Sequence, residues 1–421
     1  MILKVLKSVL GFVTSIVLAR LLGPKQYGIY AYTLSWVYLL IMPALFGVPV
    51  LLTREVAKYK AKEDWPRLGG ILTWSYKLVF VAAFTTSLIS LILYFCFVHK
   101  IDIKRVDVVI YGILILLFLT NIKTNQGAIR GIGKVVESQI PKVLFLPATF
   151  FTFILCLQYM VELSASIVLA IRVISTAGAA LLGWCMLKWY ILDEITFDKI
   201  VYESNDWRHS VVPFFISTSS HTLNENVLVI VSGTVIGAEA AGVLDIVKKA
   251  GKLIPFLASA IRQPIGPLIS DLYNSSEYRK LNKIVVRSSQ VSLVASLLMA
   301  CILIYFRDEF LGLFGSGFVE GNLSLVIFAG SQVVSAGFGI YGSLLLMSEL
   351  ANEAATINSC IAVFNILLAT SLSLHFGMIG VVVGVSVSAV VRSVLQYYLS
   401  VRETGVGYWF SISNYNQPNT Q

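Results

Sequence analysis

The chain has 421 residues, of which 57% are hydrophobic and only 13% charged, with 32 Lys and Arg against 23 Asp and Glu for a net charge of +9. A soluble protein carries about 25% charged residues, and a chain this apolar could not clothe its surface in polar groups. The same apolar surplus excludes disorder, which leaves an all-α or barrel-type polytopic membrane protein. The positive balance does not point to nucleic acid, because the basic residues sit mostly in short loops between apolar stretches, where membrane insertion needs them.

Twelve stretches supply the roughly 20 apolar residues that a helix needs to cross a ~30 Å bilayer core: 5–22, 29–52, 71–98, 106–122, 138–161, 163–187, 211–236, 243–270, 288–306, 323–348, 354–375 and 378–400. Lys4 and Lys7 ahead of Ser8 to Leu22 look like a signal peptide. No small-x-small cleavage site follows, so the segment reads as a retained first span. Continuous apolar runs favour helices over barrel strands, which alternate. With both ends cytoplasmic, the inner segments hold 18 Lys and Arg and the outer segments six (Arg20, Lys25, Lys100, Lys104, Arg105 and Arg307), which supports an N-in, C-in orientation. Lys77 and Lys142 lie near span ends and read as snorkelling side chains. Cys96, Cys156, Cys185, Cys301 and Cys360 lie in apolar stretches without CxxC spacing, and there are only four His. The cysteines therefore read as small buried hydrophobes, with no disulfide framework, metal site or cofactor expected.

The longest polar connection, about 191–210, falls at the middle of the chain and reads as a cytoplasmic linker between an N-terminal six-helix bundle (1–190) and a C-terminal one (211–402), followed by a polar tail (403–421). An internal repeat supports two halves. Gly23-x4-Gly28 follows span one and Gly237-x4-Gly242 follows span seven, 214 residues apart, with Pro43 20 residues after Gly23 and Pro255 18 after Gly237. Six spans per half give both halves one orientation, related about an axis along the membrane normal.

Charge inside the spans is where chemistry is expected, because each costs about 2.5–3.5 kcal/mol at a helix centre. Arg172 in span six, Lys248, Lys249, Lys252 and Arg262 in span eight and Arg392 in span twelve are the six deepest. On a continuous helix, Asp245, Lys248, Lys252, Ser259 and Arg262 fall within about 100° of arc, a polar stripe suited to a water-filled lumen. Ser388, Arg392 and Gln396 form a second stripe, Asn358 and Asn365 share a face, Asn121 and Asn125 stand one turn apart, and Ser217, His221, Glu225 and Ser232 line one side of span seven beside Asn224 and Asn226. The expected arrangement is a cationic cavity between the two bundles for an anionic ligand, phosphate being the natural partner of Arg and Lys. The polar side chains suit a sugar. In the plainer reading the charges pair internally, Asp245 with Lys249 and Glu225 with Lys248 or Arg172, yet two acids cannot neutralise six bases. His221 and Glu225, at i and i+4, could instead share a coupling proton or cation.

Walker A, GxSxG and HExxH are absent, which disfavours an ATP-driven pump or a catalytic centre of those kinds. A membrane enzyme of envelope glycan assembly stays open as an alternative, as do a cation-coupled multidrug exporter and a partner-dependent scaffold.

Leu18-Ala19-Arg20-Leu21-Leu22-Gly23-Pro24-Lys25-Gln26-Tyr27-Gly28-Ile29-Tyr30 closely resembles the opening of Wzx-type O-antigen and polysaccharide flippases, in the superfamily that also holds multidrug and toxin extruders. Thr53-Arg54-Glu55-Val56-Ala57 and Ala128-Ile129-Arg130-Gly131-Ile132-Gly133-Lys134 resemble further stretches of that family. Two departures stand out: span seven carries Glu225-Asn226 where the family often has Asp, and the Lys248-Lys249-x2-Lys252 cluster is unusually dense. The resemblance implies two six-helix bundles with alternating access. It implies transport of undecaprenyl-diphosphate-linked oligosaccharide across a bacterial inner membrane for lipopolysaccharide or similar polysaccharide biosynthesis, not enzymatic turnover. Its expected partners are the lipid-linked oligosaccharide, the bilayer, a proton or sodium ion, and glycan polymerase machinery. Arg20 would lie near the outer end of span one, by the cavity or at the leaflet.

Overall fold

The computed structural model describes residues 2–97, 106–190, 201, 202 and 204–407. Among these no strand occurs. The outer-loop cations Lys100, Lys104 and Arg105, the first part of the expected linker (191–200) and the end of the tail (408–421) lie outside the described residues.

The chain forms two compact units, Met1–Thr222 and Leu223–Gln421. The first holds α1 (Ile2–Leu45), α2 (Val48–Ala61), α3 (Trp65–Phe97), α4 (Val106–Gly131), a π-helical turn (Ile140–Phe145) leading into α5 (Leu146–Leu157), and α6 (Ala165–Tyr190). The division falls within α7 (Ser204–Val235). The second unit continues with α8 (Ala238–Gly251), α9 (Ile254–Asn274), α10 (Tyr278–Tyr305), the short α11 (Arg307–Gly312), α12 (Asn322–Met347) and α13 (Ala351–Thr404). Breaks at Gly23 in α1 and Gly377 in α13, with α8 and α9 as one interrupted span, give the twelve expected crossings.

Eight described helices are long and apolar enough to cross a membrane by length and composition. α7 and the α8–α9 pair are not among them: α8 has only 14 residues, and α7 and α9 carry polar side chains of spans seven and eight. The outward faces need lipid. Only 22% of the most apolar stretch of α3 is buried, and Phe80 (72% exposed), Phe84, Ile89 and Ile92 form an apolar surface that water would not support. The five cysteines correct an expectation here: all are exposed, since in a bilayer an apolar side chain needs no protein cover.

Both units repeat one junction. Gly23 (φ 67°, ψ 171°) joins the first two spans, and Gly237 (φ 135°, ψ 175°) stands between α7 and α8. Both hold a positive φ with an extended ψ, which is essentially a glycine conformation. Pro24 and Ala238 then restart the helix. The second span of each unit is interrupted as well. In the first, Phe46 (φ 48°) and Gly47 (φ 80°) separate α1 from α2, with Pro49 in the first turn of α2. In the second, α8 ends at Gly251 and Pro255 enters the first turn of α9. The expected span 29–52 is thus two helices, and Pro43 sits inside α1 rather than at its break.

In the first unit, close glycine contacts lock α2 to α4. A Cβ at Gly127 would lie 2.5 Å from the Pro49 carbonyl oxygen, and one at Gly131 would lie 2.7 Å from Val56 Cβ. Thr53 Oγ1 donates to the Gly127 carbonyl (3.1 Å) and Lys60 Nζ to the Ile132 carbonyl (2.9 Å). The stretches around Thr53–Ala57 and Ala128–Lys134 therefore brace each other. Between them the buried Glu55 carboxylate is held by Arg54 (2.8 Å) and Lys58 (3.2 Å). Residues 204–210, expected as linker, form the start of α7, and Trp207 is buried with its indole N–H donating to Tyr59 Oη (3.1 Å). An indole on an amphipathic first turn packs where a purely polar linker would not.

In the second unit, the halves of α13 fold back at Gly377 and close on small residues, with a Cβ at Gly384 only 2.6 Å from Ala369 Cα. After α13, Gly407 is clamped by Asn282 Oδ1, which accepts its N–H (2.9 Å), and by Tyr397 Oη, which donates to its carbonyl (2.7 Å).

Candidate functional site

The second unit brings most of the expected cations together with amide side chains. On α8, Asp245 pairs with Lys249 (2.8 Å), the expected i, i+4 partner. Lys252 caps the C-terminus of α8 and pairs with Glu225 of α7. Glu225 was expected to pair with Lys248 or Arg172; within the unit its ion-pair partner is Lys252 instead. The break explains this. Pro255 has no N–H for the Gly251 carbonyl, the helix stops, and Lys252 stands in the turn. The single stripe expected along a continuous span eight is therefore split: Lys248 and Lys249 belong to α8, and Arg262 to α9.

Lys248, Arg262 and Arg392 are half-buried, and among the described residues no carboxylate lies within 4.0 Å of any of them. Arg262 rests on α12. A Cβ at Gly339 would stand 1.8 Å from Arg262 Nη1, so the guanidinium occupies the space a side chain would take. One turn on, a Cβ at Gly342 would stand 2.6 Å from Gln396 Oε1. Gln396 is one turn beyond Arg392 on α13. Its Nε2 donates to Asn358 Oδ1 (3.2 Å), Asn224 Nδ2 donates to the Asn358 carbonyl (3.4 Å), and Asn365 Nδ2 donates to Asn224 Oδ1 (3.2 Å). The polar faces expected on spans seven, eleven and twelve thus meet as one amide chain. Ser232 and Ser388 turn their hydroxyls back to Val229 and Gly384 of their own helices (3.0 and 2.8 Å). The side chain of Ser217 lies outside the described residues.

In the first unit, Arg172 of α6 is half-buried, and its guanidinium lies over the Phe150 ring of α5 at 4.7 Å. Its Nε is buried without a hydrogen-bond partner. Phe150 in turn stacks on Tyr30 (centroids 6.2 Å, 8° between planes). A cation over a ring face is attracted by about 0.5–2 kcal/mol. Arg20 is exposed, one turn before the break at Gly23, and His221 is exposed on α7. Asn121 and Asn125 meet as expected: Asn125 donates to Asn121 Oδ1 (2.9 Å), and Tyr76 of α3 donates to Asn125. Among the described residues no group of three or more His, Cys, Asp or Glu comes together to hold a metal ion. The sequence reading missed the Phe150–Tyr30 stack and the two glycine seats on α12. The run Gly337-Phe-Gly-Ile-Tyr-Gly342 was the available signal for the seats.

The family described as polysaccharide biosynthesis protein matches residues 1–273. The chain belongs to this family. A curated relative, the probable low-salt glycan biosynthesis flippase Agl15 of Haloferax volcanii, is 28% identical over 145 residues, which is 34% of this chain and 31% of the relative. The match thus spans about a third of that relative's length. Among solved structures, an inward-facing multidrug resistance MATE family transporter of the MOP superfamily matches with a TM-score of 0.78 at 14% identity, over 96% of both chains. An outward-facing conformation of such a transporter matches with a TM-score of 0.66 at 14% identity, over 96% of this chain and 93% of that one. The fold is that of the MATE family transporters, and this member of the polysaccharide biosynthesis protein family is a multi-pass membrane protein.

Proposed function

We propose that the protein is a Wzx-type flippase that carries undecaprenyl-diphosphate-linked oligosaccharide, an O-antigen or similar repeat unit, across a bacterial cytoplasmic membrane. The observation that carries the reading is the set of half-buried cations in apolar helices, Lys248, Arg262 and Arg392, with no carboxylate within 4.0 Å among the described residues. Half-buried cations with no carboxylate in contact are costly, and an anionic headgroup relieves that cost. Arg20, Arg172, Lys249 and Lys252 complete the proposed diphosphate-binding set, with guanidinium forks suited to phosphate oxygens. The isoprenoid tail stays in lipid, so the protein need only lower the barrier for the polar head. The similarity to a glycan biosynthesis flippase and the family membership support the substrate class. The solved transporters, one inward-facing and one outward-facing, support alternating access as the cycle. His221, Glu225 and Asp245 are the proposed coupling residues for a proton or sodium ion, with Glu225 foremost because its partner Lys252 also faces the substrate charge. A multidrug exporter of cationic compounds would need acidic helices here, and these are basic.

Deleting the gene in its host tests the reading. Surface glycan should be lost, and complete lipid-linked repeat units should accumulate on the cytoplasmic face, located by labelling from each side of the membrane. Incomplete sugars, or complete units already outside, would overturn it in favour of an enzyme or a later step.

A further inference from the structure

The amide chain in the second unit is more than a brace between helices. Asn365 is 3% exposed, and its Oδ1 accepts no hydrogen bond. Asn358 receives bonds on its Oδ1 and its carbonyl oxygen, while its Nδ2 donates to no described residue. One amide thus leaves an acceptor open and another leaves a donor open. A buried polar group without a partner costs free energy that a ligand can recover. The two side chains stand seven residues apart on one face of α13, about 10 Å at a rise of 1.5 Å per residue. That separation exceeds the reach of one small ion and suits the scattered hydroxyls of a glycan. The neighbouring charge also opposes a cation: Arg262 sits at the Gly339 seat and has no carboxylate within 4.0 Å among the described residues. Hydroxyls both donate and accept, so separate hydroxyls of one glycan match the open acceptor and the open donor.

The glycine face of α12 sets this chain beside the cations. Cβ positions one turn apart on a helix are roughly 5–6 Å from each other. With Arg262 Nη1 1.8 Å from the Gly339 position and Gln396 Oε1 2.6 Å from the Gly342 position, the guanidinium and the amide lie within about 10 Å. We propose that Asn365, Asn224, Asn358 and Gln396 form a hydroxyl-binding subsite for uncharged sugar residues, held next to Arg262 by the Gly339–Gly342 face. Gly342 is a positioning residue, since it touches Gln396 and not the glycan. The proposal rests on the flippase reading above and adds where the neutral sugars are recognised.

The test uses the full chain in lipid nanodiscs and two probes, undecaprenyl diphosphate alone and the same lipid carrying a neutral disaccharide, with affinities read by native mass spectrometry. The wild type should bind the disaccharide lipid at least about tenfold more tightly than the bare lipid. In Asn365→Ala and Gly342→Ala, on different helices, that ratio should fall toward one. A ratio that stays at the wild-type value in both variants overturns the subsite. So does an equal loss of both probes, which would make the amides a brace for the bundle. If the wild type binds neither lipid, the flippase reading fails and the subsite with it. If it binds both lipids equally, only the subsite fails.

Discussion

Glu225 of α7 reaches across to Lys252, the residue that closes α8 at its break, and the two form an ion pair within the second unit. Their side chains remain 40% and 49% exposed. A pair this open to solvent contributes at most about 1 kcal/mol to stability. Glu225 also acts electrostatically on Lys248 and Arg392, and Asp245 acts on Lys248 as well.

Glu225→Gln and Lys252→Met should therefore each shift the melting temperature by less than about 3 °C. Glycan export in a complementation assay should fall about tenfold or more. The double variant separates the roles. If Lys252 serves the substrate, the double stays inactive. Recovery of export in the double would make the pair a structural contact only.

Gly339 offers a sharper probe of Arg262. Gly339→Ala places a methyl group where the guanidinium lies, so the arginine must move. Export should drop as far as it does in Arg262→Ala, and combining the two should add little. Gly330→Ala on the same helix meets nothing within 4 Å. It should be neutral or slightly stabilising, by up to about 1 kcal/mol of helix propensity. Wild-type export in Gly339→Ala would show that the guanidinium has room elsewhere and that its seat is incidental.

The paired junctions make a symmetric prediction. Gly23→Ala and Gly237→Ala meet no neighbouring atoms but force an L-residue into a positive φ with extended ψ. Each should cost about 1–3 kcal/mol. Lower folded yield and a lower melting temperature for both, measured by fluorescence-detected gel filtration, would confirm the strain. A drop in one alone would mean that the two junctions are not equivalent in function.

Much of this was legible along the chain. The apolar runs place the spans, because bilayer thickness dictates their length. Asn358 with Asn365 and Arg392 with Gln396 come to one side because the helical repeat puts them there. What could not be read is contact between elements. No spacing tells that Arg262 packs on Gly339, or that Phe150 slides under Arg172, because those depend on which helices become neighbours. Span eight misled for a local reason: a wheel drawn through Pro255 assumes hydrogen bonds that proline cannot make. The cysteines misled for a solvent reason, since apolar side chains in a membrane protein face outward as readily as inward. Trp207 was assigned to the linker because its neighbours are polar, although an indole that finds Tyr59 and Trp74 is core.

At the start of α3, Asp64 accepts from the Arg67 backbone N–H (3.2 Å) and from its guanidinium (2.6 Å). The hydrogen bond from Arg67 holds the Asp64 carboxyl below its ordinary value. A depressed carboxylate contributes stability that is complete above its unfolded value and lost as pH falls through the folded one. Hydrogen exchange of the first-turn amides of α3 should therefore be slower in the wild type than in Asp64→Ala at pH 7. The difference should close as pH falls below the ordinary aspartate range. A pH-independent difference would assign the effect to backbone geometry and not to the charge.

The Arg172 stack tests whether the first unit contributes to anion handling at all. Phe150 supplies a ring face 4.7 Å from the guanidinium, and Tyr30 backs that ring. A cation–π contact of about 0.5–2 kcal/mol orients the fork without neutralising it, leaving the charge available to a phosphate. Phe150→Leu keeps the apolar volume and removes the ring, so export should fall severalfold while the protein stays folded. Phe150→Trp keeps a ring face and should retain export. Arg172→Lys keeps the charge and loses the planar fork, and should resemble Phe150→Leu more than wild type. If Phe150→Leu exports normally while Arg172→Ala does not, the arginine works without its platform. If both export normally, Arg172 is a solvated charge on a span, and anion handling rests with the cations of the second unit.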